Sequence, residues 1–90
     1  MDRALEILQK LKIDPVDNWT TIHMYKKDGL KDICYYYTFE INEATYCLSA
    51  DSISYVLSVN DGFNQLYAGF DDKKVIKILK KLLKKKVKKW

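Results

Sequence analysis

The chain has 90 residues, 48% hydrophobic and 13% aromatic, with three Gly and one Pro; this supports one packed core and leaves no room for a second catalytic domain. Its formal net charge of +4 is unevenly spread: residues 1–70 carry six basic and ten acidic side chains, giving −4, whereas 71–90 carry ten and two, giving +8. An acidic body with a basic end points to an anionic partner, while the absence of a signal-peptide pattern and of a long apolar run argues for a cytoplasmic protein.

Asp2 to Lys12 reads as an amphipathic helix, with Ala4, Ile7, Leu8 and Leu11 on one stripe and Asp2 as its cap. Asp14-Pro15 stops it, because proline disfavours a helical residue before it and donates no hydrogen bond.

From Trp19 the apolar period becomes two, and turn signals divide the run. Asp28-Gly29 suits a two-residue hairpin loop that pairs Met24 with Ile33, Ile22 with Tyr35 and His23 with Cys34. Asn42-Glu43 as a two-residue loop pairs Ile41 with Ala44, Phe39 with Tyr46 and Tyr37 with Leu48. Asp61-Gly62 likewise pairs Leu57 with Leu66, Tyr55 with Ala68 and Ile53 with Phe70. All three loops keep apolar residues on one face. Ser52 to Asn60 has two readings: its alternation favours a strand, but Ser49-Ala-Asp-Ser is also the pattern of a helix cap.

Asp71 to Trp90 is half lysine. At about 100° per residue, Val75, Ile78, Leu79, Leu82 and Leu83 share one helical face. Lys73, Lys77, Lys80, Lys81 and Lys84 share the opposite face. Lys86 breaks the apolar stripe, so Lys84 to Trp90 is expected to project as a basic tail of the single domain spanning 1–90.

The expected fold is an α+β two-layer sandwich, a five-stranded antiparallel meander with an N-terminal and a C-terminal helix on one face, in the order αβββββα. Five strands make a sheet roughly 20 Å wide against a helix about 10 Å across, so both helices are needed to cover it.

Three features bear on function. The lysines Lys73, Lys77, Lys80, Lys81, Lys84, Lys85 and Lys88 could follow a phosphate backbone or an acidic protein surface, and a solvated face is the bland alternative. With one arginine against fifteen lysines, any such contact should be independent of base sequence. The outer sheet face, carrying Trp19, Tyr25, Tyr36 and Tyr67 with few charges, suits a protein interface or homodimer, joined by Trp90 from the tail. A membrane-surface role is disfavoured, because the sheet needs the apolar face of the C-terminal helix. His23 and Cys34 lack a third orienting group and an oxyanion site, and His23, Cys34 and Cys47 offer only three metal ligands without paired spacing. Cys47 pairs with Thr38, about 13 Å along from Cys34, which leaves both thiols free. The expectation is a non-enzymatic binding protein with neither metal nor cofactor.

Overall fold

The computed structural model describes residues 2–25, 30–59 and 64–84. In chain order it contains α1 (Arg3–Lys10), β1 (Asp17–Tyr25), β2 (Leu30–Ile41), β3 (Ala44–Ala50), β4 (Tyr55–Val59), β5 (Asn64–Gly69) and α2 (Asp72–Lys84). The strands form one antiparallel sheet ordered β1-β2-β3-β4-β5, the αβββββα sandwich expected. Helix α1 lies over β2 and β3, and α2 over β4 and β5. Phe39, Leu48 and Leu57 of the sheet, Leu8 of α1, and Val75 and Leu79 of α2 are fully buried between them.

Asp2 caps α1, accepting from the Leu5 N–H at 3.1 Å, and its second carboxylate oxygen accepts from the Tyr37 hydroxyl, which ties the helix start to β2. The helix ends before the proline. Lys12 adopts φ 58°, the Lys12 N–H donates to Gln9 O at 3.1 Å, and the Ile13 N–H donates to Leu8 O at 2.8 Å. This is a Schellman closure, and the buried Ile13 supplies its apolar contact.

The β2–β3 hairpin has the expected register, with Ile41 opposite Ala44 and Phe39 opposite Tyr46. Asn42 and Glu43 sit at φ 50° and 68°, both left-handed as a type I′ turn requires. The β1–β2 register differs from expectation by two residues: Ile22 faces Ile33, Trp19 faces Tyr36, and His23 faces Asp32. Cys34 therefore faces Thr21, and no cross-strand His–Cys pair forms. The expected Asp28-Gly29 turn lies outside the described residues, and the last described pair before it is Tyr25 with Leu30. A shift of two keeps every side chain on its face, so the apolar alternation is preserved.

Between β4 and β5 the register changes by one at Leu57/Ser58. Leu57 faces Tyr67 and Ser58 faces Gln65, so Leu66 is the extra residue of a bulge and is 41% exposed. The bulge corrects the expected faces beyond it. Tyr67 belongs to the inner face, packed against the core, and not to the outer one. Its ring covers Gly69, where an added Cβ would lie 2.5 Å from the Tyr67 hydroxyl, and that hydroxyl accepts from the Asp71 N–H at 3.0 Å. Ile53 and Phe70, expected as an inner pair, are exposed beyond the strand ends.

The Ser49-Ala-Asp-Ser segment leads into a strand, not a helix. Asp51 Oδ1 accepts from the Ile53 and Ser54 N–H groups at 2.9 and 2.7 Å, as a helix cap would, yet the Asp51 N–H donates to Ser54 O and closes a turn. Only Tyr35–Ile41 of β2 pairs with β3, so Leu30–Cys34 and its β1 partners extend as a two-stranded ribbon. On that ribbon Ile22 and Ile33 face each other, 62% and 45% exposed.

Candidate nucleic-acid interface

Helix α2 starts at a cap. Asp71 Oδ1 accepts from the Lys73 N–H at 2.9 Å, and Asp72 in the first turn and Lys81 and Lys84 in the last complement the helix dipole. Val75 and Leu79 anchor it to the sheet, with Ile76, Ile78 and Leu82 partly buried beside them. Leu83, expected in the core, is 37% exposed, because it lies at the edge of the stripe that faces the sheet. Near the helix end the Asn42 side-chain amide donates to Leu82 O at 3.2 Å, fastening α2 to the β2–β3 turn.

With that face fixed, Lys73, Lys77, Lys80, Lys81 and Lys84 are exposed on the opposite side and, with Ile76, line an open groove along the helix. None of these five lysines makes an ion pair among the described residues. Ile76 was not singled out in the sequence, although its position three residues from Lys73 and four from Lys80 places it beside the row. Lys85, Lys88 and Trp90 lie outside the described residues.

Among the described residues no helix packs on the outer sheet face. Trp19 and Tyr36 stack there with ring centroids 5.2 Å apart and planes 4° from parallel, and the Thr21 hydroxyl donates to the Tyr36 oxygen at 3.4 Å. Tyr25 ends β1 opposite Leu30, and its side chain lies outside the described residues. Cys34, Ser49 and Ser58 sit low between the larger side chains and are buried.

Both cysteines are free, and Cys47 faces Thr38 as expected. Burial pushes the Cys34 thiol up, opposed by a hydrogen bond with Tyr36, and burial likewise raises Cys47. These environments disfavour a thiolate. Among the described residues no cluster of three or more His, Cys, Asp or Glu side chains could hold a metal, and no helix is long and apolar enough to cross a membrane. No family model, curated protein or solved structure matches the chain.

Proposed function

We propose that this chain is a small accessory or regulatory binding protein that contacts nucleic acid, or a nucleoprotein complex, through the lysine row of α2. The supporting observation is the alignment of Lys73, Lys77, Lys80, Lys81 and Lys84 on the side of α2 opposite the buried Val75 and Leu79, with no ion pair to them among the described residues. Lysine ammonium groups act as point charges on phosphates and do not make the bidentate contacts that read guanine, so binding is independent of base sequence. A gel-shift titration with generic DNA and RNA at about 50 mM salt tests this. K77Q/K80Q/K84Q should abolish the shift while leaving the circular dichroism spectrum unchanged; absence of any shift by the native chain sinks the proposal and leaves an acidic protein surface as the ligand of the row.

A second reading, a protein-interaction module acting as a homodimer or inhibitor, is favoured by the Trp19–Tyr36 stack on the uncovered face, where Trp19 is 44% exposed. Light scattering tests it: a dimer or stable complex that W19S disrupts supports this reading, and a monomer limits it to a different partner chain.

A further inference from the structure

We infer that the ligand of the α2 lysine row is a double-stranded nucleic acid rather than a single strand, an inference that rests on the reading proposed above. Proteins that hold single strands combine a basic groove with aromatic rings on which successive bases stack. Here the two ingredients are on opposite sides of the molecule. The lysines point away from the helix layer over β4 and β5, whereas the Trp19–Tyr36 stack lies on the outer sheet face at β1 and β2. At least one helix diameter, about 10 Å, separates the two layers, and one strand cannot meet both without passing round the protein. Among the described residues α2 contains no aromatic side chain. The exposed Phe70, three residues before Lys73, is a single ring and makes no platform for consecutive bases.

Among the described residues the row therefore offers charge with no stacking platform, and charge favours the denser polyanion. A duplex carries one phosphate per about 1.7 Å of axis, roughly twice the density of either strand. The row is also straight and held rigid by the packed helix. From Lys73 to Lys84 it runs about 16 Å, longer than the roughly 12 Å width of a major groove, so its two ends reach the backbones on either side of a groove. A flexible single strand gains nothing from that rigidity.

Fluorescence anisotropy of the full chain with three labelled probes of about two helical turns tests the inference: a DNA duplex, an RNA duplex and a single strand of the same sequence. At about 50 mM salt at least one duplex should bind roughly tenfold or more tightly than the single strand, with a slope of log affinity against log salt near −4. The DNA and RNA arms distinguish which duplex geometry the row prefers. An abasic single strand should bind within about twofold of the base-bearing one. A single strand that binds as well as both duplexes, or that loses affinity when its bases are removed, overturns the inference while leaving the lysine row as a nucleic-acid site. No binding of any probe overturns both.

Discussion

The guanidinium carbon of Arg3 lies 4.3 Å from the centroid of the Tyr55 ring, and Arg3 Nη1 donates to Asp51 O at 3.2 Å. The chain's one arginine thus joins the first turn of α1 to β4 and to the β3–β4 turn, holding together parts of the chain some fifty residues apart.

Arg3→Ala should therefore destabilise the protein by about 1 kcal/mol in urea denaturation, and Arg3→Lys should recover only part of the loss, because an ammonium lacks the planar contact. The effect should grow at high pH. Burial raises the Tyr55 pKa and Arg3 opposes the rise. A raised group stabilises the fold below its unfolded value, about 10 for tyrosine, and that contribution is lost as pH climbs through the folded value. Removing Arg3 raises the folded value further, so the variant should lose stability more steeply above about pH 10, and ultraviolet titration should show Tyr55 ionising later.

Two non-glycine residues at positive φ are places where glycine should help. Lys12→Gly at the end of α1 and Glu43→Gly in the β2–β3 turn each relieve a left-handed side chain at φ 58° and 68°. Each should raise stability by up to about 1 kcal/mol. Asn42 should not be replaced alongside, since its amide holds Leu82 O.

The bulge in β5 makes a paired prediction. Gly69→Ala places a methyl group against the Tyr67 ring and should cost roughly 1–3 kcal/mol, since moving the ring also breaks its hydrogen bond from the Asp71 N–H. Tyr67→Ser should cost at least as much, whereas Leu66→Ser should cost well under 1 kcal/mol. Equal costs at Leu66 and Tyr67 would place the wrong residue inside.

Helix α2 should divide by face. Leu79→Ala should cost about 2–5 kcal/mol and Leu83→Ala a fraction of that, since Leu79 is fully buried and Leu83 is not.

Cys34 and Cys47 should react slowly with a disulfide reagent at neutral pH and fast after denaturation, because burial keeps both protonated. Their raised pKa values stabilise the fold below the ordinary thiol range and cease to do so as pH rises through the folded values. Native-state rates equal to those of a free thiol would contradict this.

The order of elements, the Asn42-Glu43 hairpin and the opposed lysine and leucine faces of α2 were legible because each rests on a period or a turn signal in the residues concerned. What escaped has a common physical character. The two-residue shift between β1 and β2 changes partners but not faces, so alternation carries no record of it; the Trp19–Tyr36 stack and the Ile22–Ile33 pair go with the register observed. The bulge at Leu66 reverses the expected faces of Leu66, Tyr67 and Ala68, and an uninterrupted alternation was the only guide there. The early end of α1 depends on Lys12 accepting a left-handed conformation, which residue type disfavours and the buried Ile13 stabilises. The lysine row was visible from spacing, but its separation from the aromatic stack emerges only once both are placed in layers.

The sequential strand order also bears on how the protein comes to be made. Each strand pairs with the one before it, so the sheet can grow in step with synthesis, and such local connectivity favours rapid folding. The lid over β4 and β5 is the exception, because α2 follows all five strands in the chain. Until it leaves the ribosome, Val75 and Leu79 are missing from the layer over β4 and β5, and that half of the nascent sheet shows an oily surface to the cell.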